Sequence, residues 1–562
     1  PPPALYRLPE GRYAGGPACG RMHALMAVRH TAPRMRTLGL WLPGATLAVG
    51  AAALYVRTLA PGLTYGDGGD LTVAAYQLGV PHPPGYPLYT LLGHVWLSLV
   101  PVKDAAWRMN LFSAVCACLA VAAIYFAVTL AVGTAWRGAF LGAGLFAVSP
   151  TFWSQAVVAE VYTFHILLTA LLLALMAVHV QRPSPRSEMA LVALAAIMLT
   201  HHLMSLWLLP AVAYALFAMR HRLAYTRRAL RLTGCFLVPL VLYAYLPWAA
   251  HRDPDWNWGD ARTSERFMAH VTARLYREDM AYFRWVPAGR RLKSYLGLGS
   301  GSEFAATTQF PFGLLALAPV GLVWLFKRHH HVGVATLLCY LGPLVWALMY
   351  SIRDIDSYFL PSHLMTALWI GVGFEALTSA ALTVTKSIGA RRGVLAVVAS
   401  LALFPPAVLA AGRFGSMDRS RDRGAQLVAS AVLSAVKPNA VVVLSGDAWA
   451  FPVAYEHYVL KRRPDVVLLL YRDFMNPMYV RLIVRERRRG LIVPPPAGKG
   501  FNSEQRLLAL LDANLTRRPC YVVGSVFDTH PPSLRALPAK LRMRRLAQGL
   551  PVFEVLPMES HP

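Results

Sequence analysis

Asp67 and Asp70 stand three residues apart with two glycines between them, in Tyr65-Gly66-Asp67-Gly68-Gly69-Asp70, and His82-Pro83-Pro84-Gly85-Tyr86-Pro87 follows closely. Glycines let the backbone fold tightly enough to turn both carboxylates to one side. The pair therefore reads as a general base, Asp67, with Asp70 positioning it or meeting a hydroxyl; the plainer reading is an Asp-Gly turn at a helix end. No Lys or Arg occurs between Arg57 and Lys103.

A third acid, Glu160 in Ala159-Glu160-Val161-Tyr162, opens an apolar run. A carboxylate at a membrane boundary is costly unless paired or functional, although it also complements a helix dipole. His201-His202 joins two apolar runs, where a hydrogen-bonded loop histidine is the usual case and no ligand set for a metal is legible. Further on, Trp256-Asn257-Trp258-Gly259-Asp260 offers indole faces that suit sugar rings or an aromatic belt. A helix expected over Ser264 to Trp285 would carry His270, Arg274 and Arg277 at i, i+4 and i+7 as one cationic stripe. Such a stripe either snorkels to lipid phosphates or recognises the phosphate of a lipid-linked substrate.

The elements that carry these residues are mostly membrane-spanning. The 562-residue chain is 56% hydrophobic, has a mean hydropathy of +0.43 and is only 15% charged, which excludes a single soluble globule. Apolar runs near 38–57, 108–131, 138–152, 157–180, 188–201, 203–219, 232–250, 310–326, 332–350, 358–381 and 392–411 predict about eleven spans. Tyr86 to Val100, bracketed by prolines and by Lys103-Asp104, reads as a re-entrant or interfacial segment. The formal charge of +27 is explained by lipid and topology rather than by nucleic acid. With the N-terminus inside, the inner loops hold Arg137, Arg182, Arg186, the cluster from Arg220 to Arg231, Lys327, Arg328, Lys386, Arg391 and Arg392 against the acid Glu188. Asp67, Asp70, Glu160, His202, Trp256, Asp260 and Asp354 then fall together on the outer face.

Three regions follow: a basic, disordered cytoplasmic leader over 1–37, a transmembrane domain over 38–411 with outer loops 58–107 and 251–309, and an extracytoplasmic α/β domain over 412–562. The last rests on the β-branched runs at Val441 to Leu444 and Val466 to Leu470, with a helical stretch between them, a β-α-β pattern. Of six cysteines, four lie in apolar runs and Cys19 and Cys520 fall on opposite sides, so no disulfide framework is expected.

Taken in order, the first-loop motif, His82 to Leu88, Arg108-Met109-Asn110-Leu111, Ala159 to Tyr162, Tyr245-Leu246-Pro247 and Trp256 to Asp260 resemble the membrane family catalogued as domain of unknown function 2723. That family includes the animal O-mannosyltransferase acting on IPT domains of plexins. Asp354-Ile355-Asp356-Ser357-Tyr358-Phe359-Leu360-Pro361 looks like bacterial members. The resemblance implies a mainly α, polytopic GT-C-type glycosyltransferase in a bacterial inner membrane. It implies a polyprenyl-phosphate sugar donor, an acceptor hydroxyl on an exported protein or glycan, and an acid of the first outer loop as base. Asp67, Asp70 and Glu160 become the expected catalytic acids. His82, Tyr86, Arg108, Asn110, His202, Trp256, Trp258, Asp260, His270, Arg274 and Arg277 become the expected substrate contacts. No cofactor beyond the lipid-linked donor is expected, and a divalent metal is the weaker expectation. Two departures bear on this: the family's second acid is often Glu where this chain has Asp70, and the C-terminal domain is unlike the animal one. The competing classes are a transporter or lipid flippase, which needs polar groups through the midplane and repeated halves, and a non-catalytic scaffold.

Overall fold

The computed structural model describes residues 35–133, 136–218, 225–277, 285–298, 305–352, 354–475, 483, 485–494, 503–524, 541–546 and 550–557. The chain divides into residues 1–43 and 44–562. In the first unit the described part is the start of the Met35–Arg57 helix, so most of the expected leader, with Cys19, lies outside the described residues. The inner-loop residues Arg220 and Arg222 also lie outside them.

Every apolar run read from the sequence is helical, in whole or in part. Among the described residues, six helices are long and apolar enough to cross a membrane: Ala105–Ala131, Tyr162–Gln181, Arg227–His251, His330–Met349, Ile355–Val384 and Ile388–Met417. The protein is therefore a multi-pass membrane protein. Shorter helices fill in between, such as the 12-residue Trp136–Ala147 and the 15-residue Pro185–Leu199. Pro87–Leu99 has 13 residues, about 20 Å at the helical rise, well short of the hydrocarbon core.

Close helix contact is set by small residues. A Cβ on Gly138 would lie 2.2 Å from the Gly371 carbonyl oxygen, so the Trp136–Ala147 and Leu360–Val384 helices cross backbone to backbone. At the end of the bundle that holds the first-loop acids, Asn110 donates to the carbonyls of Ala60 (3.1 Å) and Gly62 (2.8 Å), tying the loop after the Met35–Arg57 helix to the Ala105–Val132 helix.

Among the described residues, the C-terminal part forms a five-stranded sheet of β1 (Val441–Ser445), β2 (Val467–Leu470), β3 (Cys520–Gly524), β4 (Leu541–Arg545) and β5 (Val552–Pro557) in the order β2-β1-β3-β5-β4. β1 runs parallel to β2 and β3, with the Asp447–Tyr458 helix as the β1-to-β2 crossover, while β5 is antiparallel to β3 and β4. Strand alternation divides β1 between two cores. Val441 and Val443 pack with Val467, Leu469 and Leu511 in a small core of the sheet's own. Val442 and Leu444, with Phe451 and Tyr455, join the large core shared with the membrane helices. The sheet domain thus packs against the region that holds the first-loop acids rather than hanging free of it.

Candidate active site

Asp67 lies in a turn at a helix start, as the plainer reading has it, and Asp70 lies inside that helix. The glycines start a helix, Gly68–Gln77, with Asp67 at its N-cap position and Asp70 in its first turn, where a carboxylate is favoured by the helix dipole. Gly69 is required by close approach, since a Cβ there would meet the Phe451 carbonyl oxygen at 2.6 Å. The two acids end in different surroundings. Asp70 is fully buried, whereas the Asp67 side chain is 33% exposed.

Asp70 accepts four hydrogen bonds. Trp256 and Trp258 donate their indole N–H groups to Oδ1 at 2.6 and 2.7 Å, and His82 donates its backbone N–H at 3.1 Å and meets Oδ2 through Nδ1 at 2.6 Å. The tryptophans reach one oxygen because their loop pairs like a strand: Val80 N–H donates to the Trp256 carbonyl and Trp258 N–H to the Val80 carbonyl, both at 3.0 Å. Residues two apart on such a segment face the same way.

His82 carries this buried anchor outward. Its Nε2 lies 3.5 Å from Asp67 Oδ2 and 3.0 Å from the Tyr86 hydroxyl. Burial pulls the imidazole pKa down, but the carboxylates of Asp67 and Asp70 and the hydrogen bond to Asp70 outweigh it and raise it to about 9. The imidazole is therefore cationic at neutral pH. Burial pushes the Asp67 carboxyl up to about 7 against the pull of His82, with help from Asp354, Asp447 and Asp70. A carboxyl poised there can exchange a proton near neutral pH.

Glu160 acts on Asp67 from behind. Its Oε1 accepts from the Asp67 backbone N–H at 3.3 Å, and its own main chain is fixed by reciprocal 3.2 Å bonds with Ser113. Burial and the Asp67 charge raise its pKa well above the ordinary carboxylate value.

Asp67, His82 and Tyr86 open on a cavity of about 590 Å³ whose lining also includes Tyr162, His202, Tyr276, Asp354, Tyr358, Asp447 and Phe451. His202 accepts a hydrogen bond at Nδ1 from the Met204 backbone N–H at 3.0 Å, and burial, followed by His165, His201 and His82, holds its pKa well below the ordinary value. It is thus neutral with its proton on Nε2, and that N–H has no partner among the described residues. No Lys or Arg occurs among the described lining residues.

Several expected contacts lie elsewhere. Trp256 and Trp258 are 2% and 4% exposed, with Phe451 against both rings and Arg472 over both, so neither offers a face to a sugar. Arg108 donates to the carbonyls of Leu97 (2.7 Å) and Val100 (3.2 Å), closing the C-terminus of the Pro87–Leu99 helix rather than holding a phosphate. Asn110 ties backbone, as described above. Asp260 is fully buried between Arg262 and Arg266. The cationic stripe is not formed. The helix ends at Val271, and Ala273, at φ 49°, turns the chain before Arg274. His270 is buried, and burial pulls its pKa to about 3, so it is neutral. Arg274 is half-exposed and lies 3.5 Å from Glu265, and Arg277 is exposed; neither lines the cavity. Residues 278–284 of the expected helix lie outside the described residues.

Asp447 and Phe451 were not expected, because the C-terminal domain read as a separate body. The available signal was Gly446-Asp447 at the carboxyl end of a parallel strand, the edge at which open α/β sheets place ligands. Among the described residues no three His, Cys, Asp or Glu are grouped to hold a metal.

A membrane-helix bundle with an acid-lined cavity in its first loop and a small α/β domain behind it is a GT-C-type fold. The crystal structure of ArnT from Cupriavidus metallidurans in the apo state superposes with a TM-score of 0.58 at 14% identity, over 92% of this chain and 98% of that one. The same protein bound to undecaprenyl phosphate gives 0.58 at 13%. At these identities the likeness is one of fold. In sequence, the family model described as the protein O-mannosyl-transferase TMEM260 N-terminal domain matches residues 67–224, the stretch holding Asp67, His82, Glu160 and His202. Protein O-mannosyl-transferase TMEM260 of Mus musculus is 28% identical over 461 residues, 77% of this chain. The Dictyostelium discoideum protein of that name is 35% identical over 129 residues, 23% of this chain. The chain spans 63% of the length of the mouse relative and 16% of that of the Dictyostelium one.

Proposed function

We propose that this protein is a membrane glycosyltransferase that moves a sugar from a polyprenyl-phosphate donor to an acceptor hydroxyl in the Asp67 cavity. Mannose is the sugar and an exported protein the acceptor that the O-mannosyl-transferase relatives suggest, with a glycan as the other acceptor class. The observation that carries the reading is a cavity-facing carboxyl with a pKa near 7, oriented through His82 by the fully buried Asp70.

In the proposed step the acceptor oxygen bonds to the anomeric carbon, and the carbon–oxygen bond to phosphate breaks with its electron pair leaving on the polyprenyl phosphate. The acceptor proton passes to Asp67. Glu160 is a positioning residue that holds the Asp67 main chain, and Asp447 and Phe451 close the side of the cavity toward the sheet domain. The arginine asymmetry of the loops supports a cytoplasmic N-terminus and a cavity and sheet domain on the outer face, as in a bacterial inner membrane. The test is transfer by the purified protein from polyprenyl-phosphate mannose to an exported acceptor protein, read by intact mass; no mass gain with this or other polyprenyl-phosphate sugars overturns the proposal.

The pH profile follows from the same groups. Turnover should rise through about 7 as the Asp67 carboxyl loses its proton and becomes able to accept one, and fall above about 9 as the His82 imidazolium is lost. A profile flat between about 6 and 8 would assign the base elsewhere.

His202 offers one neutral donor to the substrate. His202→Phe should raise KM for donor or acceptor by up to about tenfold, the worth of one hydrogen bond, and should also lower the melting temperature, because the Met204 N–H loses its acceptor. An unchanged KM for both substrates would remove His202 from the binding site.

A further inference from the structure

A second site lies at the opposite end of the helix bundle. Tyr162 lines the cavity and begins a 20-residue helix that carries the chain about 30 Å away before it turns back. The returning Pro185–Leu199 helix has Glu188 in its first turn. There a separate cavity of about 170 Å³ is lined by Arg227, Arg228 and Arg231, with Glu188, Met189 and Leu232.

Its charges do not balance. Glu188, 2% exposed in its side chain, is engaged by Arg228 in two bonds of 3.2 and 2.8 Å. That leaves Arg227 and Arg231, one helical turn apart and both exposed, with no acid paired to them among the described residues. Met189 and Leu232 give the same cavity an apolar side. The helix carrying the arginines continues as the apolar segment Arg227–His251, of which only 11% of the most apolar stretch is buried inside the protein. Its outer surface is therefore available to lipid.

We infer that this cavity binds the phosphate of an anionic glycerophospholipid, with Arg227 and Arg231 as its ligands and Met189 and Leu232 against the glycerol and upper acyl chain. Guanidinium forks match phosphate oxygens two at a time, and the Arg228–Glu188 pair holds the two helices at a fixed spacing. A lipid fits better than a free ion because the cationic group and the apolar wall share one cavity that opens onto a lipid-facing helix. The site is independent of the transfer chemistry.

The test is thermal unfolding of the full chain in nanodiscs of phosphatidylglycerol against nanodiscs of phosphatidylcholine. The parent should melt at a higher temperature in phosphatidylglycerol. Arg227→Gln/Arg231→Gln should lose most of that upshift while melting normally in phosphatidylcholine, and Arg227→Lys/Arg231→Lys should keep only part of it. Arg391→Gln/Arg392→Gln, at another exposed helix start, should keep it all. An upshift unchanged in the Gln pair overturns the site, and an equal loss in the control pair assigns the effect to diffuse surface charge. If inorganic phosphate in phosphatidylcholine nanodiscs reproduces the upshift, the occupant is a soluble anion and the lipid assignment fails.

Discussion

Asp67→Asn is expected to lower turnover by roughly 10²- to 10⁴-fold, the usual cost of removing a general base, with donor KM changed little. The substitution keeps the shape of the side chain and its place at the helix N-cap, where Asn is as well tolerated as Asp. What it removes is the ability to take a proton at the cavity surface. The measurement is single-turnover transfer by purified variant and parent, with melting curves to show that both are folded. Near-normal transfer by the variant would pass the role to Asp354 or Asp447, the other carboxylates that line the cavity.

Asp70→Ala is expected to cost about 3 kcal/mol of stability, the lower end of the range for breaking a buried charge pair. The lower end applies because His82 keeps Asp67 at 3.5 Å when Asp70 is gone. The loss has two parts: the imidazolium loses its 2.6 Å partner, and the buried indole N–H groups of Trp256 and Trp258 lose their acceptor. Turnover should fall as well, because His82 is no longer held toward Asp67. A melting temperature within a degree or so of the parent's would show that the four-bond anchor contributes little to the fold.

How much of this was legible follows from where each signal resides. The apolar runs and the β-α-β pattern are local, and they reappear as the helices and as β1, β2 and the helix between them. Asp67, Asp70 and His82 were legible as a group because they lie within one short segment and their types are chemical. The roles of the other expected contacts depended on burial, which composition does not report. Trp256 and Trp258 suit a sugar platform and a buried hydrogen-bond donor equally well, and Asp70, almost two hundred residues earlier, decides between them. Arg108 suits a phosphate and a helix C-terminus alike, and the carbonyls of Leu97 and Val100 take it. The stripe of His270, Arg274 and Arg277 assumed an unbroken helix, and one residue in left-handed backbone, Ala273, is enough to dissolve it. Asp447 was out of reach because nothing local announces that a strand end in the last third of the chain will meet a loop from the first.

The contact between Gly69 and Phe451 orders events in time as well as in space. Synthesis runs from the N-terminus, so the helix that Asp67 caps is made long before residues 447–458, which supply part of the wall of its cavity. A chain without residues 447–458 would lack the part of the cavity wall that Asp447 and Phe451 supply beside Asp67. Transfer at this cavity would therefore have to wait until residues 447–458 have been made.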